Sequence, residues 1–505
     1  MMTNTAFKTY AQENGGRVLL LLLLFSLALY QLVTAGITGF ALVCFIPALV
    51  IFVYLAFRYR MFVFWILCII NYIVHFRELY LPFPMSLPNE LLEMILLAIA
   101  IINVKDSHFE RCANFMLFML IIWCGFCTLE VLNDTCDMGI QIASWYAGAR
   151  KIGFQVLYCF LVFTLYITTP RDLKNYLYLW VGLSLLAVFW VWKQKYIGFT
   201  PNESGWIEAH RKTHIIEGGT LIRYYSIYSD AAAFGVGMAT TAVAFIIFAL
   251  TSKIRKHKIL FGITGVLTLW AMFPSGTRTA MVCFFAGLFV YVFLSKSYKL
   301  TFLMGLLGLF AYIFLAFTDI GQGNQQIRRM RTAFDKKDAS SNVRAIHQQA
   351  MKKYLQDAPW GIGIGNTYEN VPANNKFQKL SAIPPDSEYV WIWVHTGIIG
   401  ITLFLITTFF MFTGACWIVL FKINSPSLRG IGAGFCCAFV SIQLGGYGNQ
   451  ILMQFPNCVL YYGGLSLVYV LPYIEKEWIE WESKELAIQE EKKRLKLEKK
   501  RASRV

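Results

Sequence analysis

The feature that most constrains this chain is the recurrence of apolar runs about as long as a bilayer is thick, from Val18 to Tyr473. Apolar residues make up 57% of the 505 residues and charged residues only 15%, whereas soluble domains carry about a quarter charged residues. A water-soluble fold could not bury so much apolar surface. The sequence therefore predicts an all-α polytopic membrane protein and excludes a cytosolic enzyme, a disordered chain and a collagen-like fibre.

The apolar runs also predict the number of membrane spans. Fourteen runs qualify, and because several are short and neighbouring runs can merge, we expect about 12–14 transmembrane helices. The first run follows Arg17 without a small-residue cleavage site, which predicts an uncleaved span. The runs are Val18–Gly36, Thr38–Phe57, Met61–His75, Pro88–Asn103, Cys112–Leu132, Ile152–Thr168, Tyr176–Trp192, Ser229–Leu250, Ile259–Phe273, Thr279–Leu294, Leu300–Phe317, Tyr389–Leu420, Gly430–Gly446 and Pro456–Tyr473.

The basic residues predict the orientation of the spans. With a cytoplasmic N-terminus, each short cytoplasmic loop carries Lys or Arg, as the positive-inside rule requires. These loops are Arg58–Arg60, Val104–Arg111, Thr169–Lys174, Thr251–Lys258, Ser295–Lys299 and Phe421–Arg429. The net charge of +16 is therefore interpreted as a topology signal, and no nucleic-acid partner is expected. Both termini are predicted to be cytoplasmic, and three long loops, Asn133–Lys151, Val191–Tyr228 and Thr318–Glu388, are predicted to face the other side.

These boundaries define the predicted domain organisation. The domains are a cytoplasmic N-terminus (1–17), an N-terminal transmembrane bundle (18–317), a large outer loop (318–388), C-terminal transmembrane helices (389–473) and a charged cytoplasmic tail (474–505). Because soluble chemistry is expected on the outer side, ATP and nucleotide sugars are not expected as direct substrates. Most of the 12 cysteines lie within apolar runs, so the sequence predicts neither a disulfide framework nor a zinc site.

The large outer loop contains one amphipathic helix and one glycine-rich turn. Apolar residues recur at helical spacing over Ser340–Asp357, and Pro359 follows as a helix stop. The segment Gly361–Asn366 resembles a phosphate-binding glycine loop, but no strand precedes it. We therefore predict a tight turn at which the backbone approaches another backbone or a ligand.

Positive charges accumulate at the predicted outer ends of the spans, against the usual bias. These residues are Arg150, Lys151, Arg223, Arg278 and Arg344. Each one alone could snorkel to a lipid phosphate. Together they favour an anionic ligand, because the arginine fork binds two phosphate oxygens at once. A carboxylate pair, Asp386 and Glu388, precedes the span that opens at Tyr389, and capping of that helix is the simpler interpretation of the pair.

Arginines beside a carboxylate at this depth suit the transfer of a sugar from a lipid diphosphate to a hydroxyl. The leaving diphosphate gains negative charge as the glycosidic bond breaks, and fixed arginines stabilise that charge. A carboxylate can remove the proton of the attacking hydroxyl as a general base. Neither step requires a metal or another cofactor.

Four segments resemble the O-antigen ligase/O-antigen polymerase superfamily. They are Arg223–Ser226 with Phe234-Gly235, then Ser275–Ala280, then Ala358–Gly363, and finally Asp386-Ser387 followed by Gly397–Gly400. The resemblance extends from about Arg150 to Gly400 and rests on the order of these segments and their placement relative to the spans.

The resemblance implies a membrane glycosyltransferase of the GT-C type in the bacterial inner membrane. Its donor would be an undecaprenyl-diphosphate-linked glycan, used without a metal at the periplasmic face, so that the outer loop is periplasmic. In this scheme Arg223 and Arg278 hold the diphosphate and Asp386 is the catalytic base. Further substrate-binding candidates are Arg150, Lys151, Arg344, Glu388 and Tyr389. His395 is interpreted as a packed helix residue.

Three functions remain open at this stage. Asp386 stands where the ligases of the superfamily carry histidine, which favours a polymerase of O-antigen, capsule or exopolysaccharide repeat units. An O-antigen ligase or a protein O-oligosaccharyltransferase would use the same donor, with lipid A–core or a protein in place of a glycan as acceptor. A lipid-linked oligosaccharide flippase is a non-enzymatic third reading. The bilayer and other membrane proteins of polysaccharide assembly are the remaining expected partners.

Overall fold

The computed structural model describes residues 15–79, 87–216, 221–296, 298–323, 325–331, 339–367, 370–381 and 383–502. These residues divide into two compact units between Ile66 and Leu67. Within the described residues the chain is almost entirely helical, with one pair of two-residue antiparallel strands, Ile215–Ile216 (β1) and Leu221–Ile222 (β2). This confirms the predicted all-α polytopic fold.

The described residues form helices throughout the chain. They are α1 (Gly15–Arg58), α2 (Phe62–Ile73), α3 (Leu87–Ile102), α4 (Phe115–Leu129), α5 (Ile142–Ala149), α6 (Gln155–Tyr166), α7 (Pro170–Tyr196), α8 (Pro201–Ala209), α9 (Arg211–His214), α10 (Ala231–Thr251), α11 (Arg255–Met272), α12 (Arg278–Ser295), α13 (Tyr298–Phe317), α14 (Gln325–Arg331), α15 (Ala339–Leu355), α16 (Gln378–Ser381), α17 (Glu388–Phe421), α18 (Pro426–Gly448) and α19 (Asn457–Ala502). A π-helical turn, Arg150–Phe154, joins α5 to α6.

Ten described helical segments are long and apolar enough to cross a membrane, or eleven if Pro47–Arg58 and Phe62–Ile73 count as one broken span. Fewer segments satisfy this test than the 12–14 spans that the sequence predicts. The predicted spans Met61–His75 and Pro88–Asn103 correspond to α2 and α3, which have 12 and 16 residues. At about 1.5 Å per residue, helices of this length fall short of a hydrocarbon core about 30 Å thick.

Helix α10 is almost completely buried and packs against α11, α12 and α18. Phe245 stacks on Phe261 of α11 with ring centroids 5.7 Å apart, and Phe248 meets Phe435 of α18 edge-on at 5.5 Å. A helix that is apolar on every side must be covered by lipid or by other helices, and here other helices cover it. The N-terminus of α10 is therefore held in a fixed position, and the loop that precedes it lies on a rigid base.

Residues 358–365, here called the glycine turn, pack along a break in α17. The break is at Gly397, where φ is +63°. The backbone N–H of Ile362 donates to Val394 O at 3.0 Å, and that of Gly363 donates to His395 O at 3.1 Å. The sequence predicted a close backbone approach in this segment, and the structure places one here, between two backbones.

Helix α15 lies where the sequence predicted an amphipathic helix over 340–357. Its Met351 and Leu355 belong to one buried apolar cluster with Ile362 of the glycine turn and with Val390 and Val394 of α17. The large loop therefore has a small core of its own, and that core fixes α15 against the first turns of α17.

Helix α19 continues from the last predicted span through the predicted tail without interruption. Trp478 Nε1 donates to Ser427 Oγ at 3.0 Å, and Lys253 Nζ lies 3.1 Å from Glu482 Oε2. Glu475 accepts hydrogen bonds from the backbone N–H of Ser425, next to the start of α18. The first turns of the tail thus pack against the helical bundle.

We predict that Gly397→Ala destabilises the protein strongly. At φ +63° and ψ −167° a side chain costs about 1–3 kcal/mol, and a Cβ here would lie 2.0 Å from Pro359 O. Gly182→Ala, in an open position inside α7, is the control and should leave stability unchanged or raise it by up to about 1 kcal/mol. The measurement is thermal unfolding of the purified variants in detergent, and equal midpoints for both would contradict the clamping role of the glycine turn.

Candidate functional site

Arg223 lies between β2 and α10 and uses its guanidinium to hold the turn before α12. Its Nε donates to Ser275 O at 3.1 Å, and a terminal nitrogen donates to Thr277 Oγ1 at 3.0 Å. The other terminal nitrogen donates to Thr213 O at 3.0 Å. Because a guanidinium has five N–H groups, two remain outside these bonds. Arg223 is thus oriented by the protein while it retains donors for a ligand.

The first two segments of the resemblance pack directly on each other. Thr277 Oγ1 donates to Ala231 O at 3.0 Å, and the backbone N–H of Tyr224 donates to Pro274 O at 3.2 Å. A Cβ on Gly235 would lie only 2.2 Å from Ser275 Oγ, so glycine is required for this approach. This packing places Arg278, the first residue of α12, on the same structural unit as Arg223.

Four arginines form a cluster at this end of the second unit: Arg223, Arg278, Arg329 and Arg344. Burial is the main cause that lowers the pKa of Arg223 to about 10; the positive charges of the other three arginines act in the same direction, and the Asp230 carboxylate opposes them. The sequence predicted three of these arginines. Arg329, on α14, was missed, although the basic segment 328–331 could have indicated it. At neutral pH Arg223 remains protonated, so the cluster is a positively charged site that favours an anion.

Asp386 is hydrogen-bonded to a histidine that the sequence analysis missed. Its Oδ2 lies 2.8 Å from Nδ1 of His347, and about a quarter of each side chain is exposed (24% and 28%). His347 is on α15, and Asp386 immediately precedes the N-cap residue of α17, Ser387. The pair therefore depends on the small core that fixes α15 against α17. Its signal in the sequence was the predicted helix, which carries His347 one turn after Arg344.

Contacts connect the arginine cluster with the His347–Asp386 pair. Arg344 and His347 are three residues apart on α15 and so are neighbours on its surface. After α18, Gly448 packs against Thr279, and Gln450 Nε2 donates to Pro385 O at 2.6 Å. Thr279 follows Arg278 and Pro385 precedes Asp386 in the chain. The structure thus brings Arg223, Arg278, Arg344 and Asp386 into one region.

Two other predicted residues, Arg150 and Lys151, have carboxylate partners of their own. Both lie in the π-helical turn, a feature frequent at functional sites. Arg150 approaches Glu90 at 2.5 Å, and Lys151 Nζ lies 3.4 Å from Glu388 Oε1. Lys151 also lies over the ring of Trp391, 4.6 Å from its centroid. These partners reduce the capacity of both cations to bind a phosphate.

The remaining predicted residues face the interior. Glu388 is completely buried, and neither carboxylate oxygen accepts a hydrogen bond from the described residues. The Tyr389 hydroxyl donates to the backbone and side-chain oxygens of Gln443 at 3.0 and 2.9 Å. His395 is buried with its ring 4.0 Å from that of Trp391, as expected for a packed residue. Of the two predicted carboxylates, Asp386 is therefore the accessible one.

The fold and this site define a polytopic helical membrane protein with a basic site at the ends of its helices. Residues 263–405, from α11 into α17, match the family model described as O-antigen ligase (Wzy_C). The match confirms the resemblance to the O-antigen ligase/polymerase superfamily. It contains Arg278, Arg344 and Asp386, whereas Arg223 precedes it. A search of curated proteins gave no significant match.

The family match also indicates the general function of the protein. It indicates a glycosyltransferase-like enzyme of O-antigen assembly that acts on lipid-linked glycans. With the apolar helices, it indicates a multi-pass protein of the inner membrane.

His214 is next to the arginine cluster and contacts the backbone of Arg223. It is buried, its backbone oxygen accepts a hydrogen bond from the N–H of Arg223 at 2.9 Å, and its Nε2 lies 3.4 Å from the N–H of Ala231. Burial and the nearby charge of Arg223 lower the pKa of His214 to about 4, although the Asp230 carboxylate acts in the opposite direction.

We predict that acidification destabilises the folded protein through His214. The imidazole is protonated below about pH 6.5 in the unfolded chain but only below about pH 4 in the folded one, so stability is lost as the pH falls through this window. The wild type should lose more of its thermal midpoint between pH 7 and pH 4.5 than His214→Gln, which cannot be protonated. Equal losses would show that His214 contributes nothing to the pH dependence.

Proposed function

We propose that this protein is a polymerase of undecaprenyl-diphosphate-linked oligosaccharide repeat units at the periplasmic face. The observation that carries the proposal is the arginine cluster beside the His347–Asp386 pair. A diphosphate needs several fixed positive groups, and an acceptor hydroxyl needs a nearby base. This region of the chain combines both requirements.

In the proposed reaction the acceptor hydroxyl attacks the anomeric carbon of the donor glycan. The bond from that carbon to the diphosphate breaks, and negative charge grows on the leaving undecaprenyl diphosphate. Arg223 and Arg278 stabilise this charge, and Arg223 does so at little reorganisation cost because three hydrogen bonds already orient it. The His347–Asp386 pair removes the proton of the hydroxyl.

Arg344 and Arg329 are assigned a supporting role in holding the diphosphate, since both add positive charge at Arg223. Arg150, Lys151, Glu388 and Tyr389 are assigned to the framework of the site on account of their internal partners. The buried Glu388 is not expected to meet an acceptor hydroxyl directly.

One observation supports a second candidate function. The ligases of the superfamily carry histidine at the position of Asp386. Here the imidazole of His347, on α15, lies beside Asp386. An O-antigen ligase or a protein O-oligosaccharyltransferase would use the same donor site and differ only in its acceptor. The polymerase remains the main proposal, because the residue at the motif position itself is a carboxylate.

We predict that Arg278→Ala lowers glycan transfer by about 10²-fold or more, since it removes charge stabilisation of the leaving diphosphate. Arg255→Ala is the matched control, because Arg255 is exposed at the start of the neighbouring helix α11. Transfer is measured as surface polysaccharide restored in a strain that lacks the gene. Normal product from a well-expressed Arg278→Ala protein would remove this residue from the site.

The same strain separates the two candidate functions. If the protein is a polymerase, a gel of surface glycan should show single repeat units that are still attached to the cell surface. Long chains that remain on the lipid carrier would identify a ligase or oligosaccharyltransferase instead. Glycan and lipid-linked intermediates identical to those of the parent strain would contradict both.

A further inference from the structure

In the hydrogen bond between His347 and Asp386, the donor and the acceptor can be assigned. An ionised carboxylate can only accept hydrogen bonds, so the 2.8 Å contact with Asp386 Oδ2 requires that Nδ1 of His347 carries the proton. Nε2 of the same ring then has a free lone pair. A carboxylate that fixes one ring nitrogen in this way makes the other nitrogen a proton acceptor of defined tautomer and orientation.

We propose that Nε2 of His347 is the general base of the transfer and that Asp386 is its positioning residue. The proposal rests on the proposed function and specifies the atom that takes the proton. As the acceptor oxygen bonds to the anomeric carbon, the bond to the diphosphate breaks and its electron pair goes to the diphosphate oxygen. The hydroxyl proton moves to Nε2, the resulting imidazolium is stabilised by the Asp386 carboxylate, and the proton is later released to solvent.

The imidazole suits this task better than the carboxylate alone. A general base works best when its proton affinity lies near the working pH, and imidazole is the side chain that titrates close to neutrality. A carboxylate in water is ionised far below neutral pH and is accordingly a weaker base. In the pair, Asp386 supplies orientation and negative charge, and His347 supplies basicity.

The position of His347 also fits the site. Its helix is fixed by the burial of Met351 and Leu355 in the apolar cluster that includes Val390 of α17. Arg344, one turn before His347, is close enough to the arginine cluster to affect the pKa of Arg223. The base and one of the groups proposed to hold the leaving diphosphate therefore project from adjacent turns of one helix.

The alternative is that Asp386 takes the proton itself and His347 only orients the carboxylate. His347→Asn separates the two cases, because the asparagine amide nitrogen takes the place of Nδ1 and still donates to Asp386, whereas Nε2 is lost. Gln349→Ala, at an exposed position on the same helix, is the matched control. Transfer is assayed with the purified full-length protein and lipid-linked repeat units extracted from a strain that lacks this gene.

We expect His347→Asn to lower kcat by about 10²–10⁴-fold, with little change in KM for the donor and in the thermal midpoint. Gln349→Ala should retain full activity. The acidic limb of the wild-type pH profile should be missing from the residual activity of His347→Asn.

Activity of His347→Asn within threefold of the wild type would overturn the assignment. So would residual activity of His347→Asn that keeps the acidic limb of the wild type unchanged. Failure of the proposed function has a different signature, because the wild type would then transfer no glycan and Arg278→Ala would behave like Arg255→Ala. An active wild type that is sensitive to Arg278→Ala but not to His347→Asn refutes only the role of His347.

Discussion

The pairing of the glycine turn with the break in α17 is the interaction on which the candidate site depends. Two backbone hydrogen bonds, from Ile362 to Val394 and from Gly363 to His395, connect the end of the large loop to the helix that follows Asp386. Because the turn is continuous with α15 through residues 355–358, these bonds also determine where α15 lies. The His347–Asp386 contact is therefore a consequence of backbone geometry some distance away from it.

The arginine cluster has an electrostatic cost that the fold must offset. Like charges disfavour one another, and the lowered pKa of Arg223 reflects this repulsion as well as lost hydration. The hydrogen bonds of Arg223 to Ser275 and Thr277, together with the Asp230 carboxylate, compensate part of the cost. A bound anion would compensate the rest, which is why such an arrangement is characteristic of a binding site rather than of a packing interface.

Local sequence patterns predict much of this structure. Where the prediction from the sequence missed a feature, the reason is physical. Apolar runs, the amphipathic loop helix and the tight glycine turn are local properties, so the sequence predicted them. The His347–Asp386 pair joins residues 39 positions apart, and the carboxylate partners of Arg150 and Lys151 come from other helices. Such contacts depend on tertiary packing, which periodicity does not encode. Hydropathy identifies apolar runs but does not determine how far each one continues as a helix, so ten of the described segments pass the length and composition test for a span where the sequence predicts 12–14.

The buried carboxylate of Glu388 restricts the substitutions that the protein can tolerate at Glu388 and Lys151. It accepts no hydrogen bond from the described residues, and its nearest cation is Lys151 at 3.4 Å. Removing the lysine leaves the buried carboxylate without a partner and is destabilising, whereas replacing both partners by apolar groups of similar size is often neutral. The two positions are therefore coupled: a change at Lys151 becomes tolerable only together with a change at Glu388, and a neutral pair could persist where either single replacement would be lost.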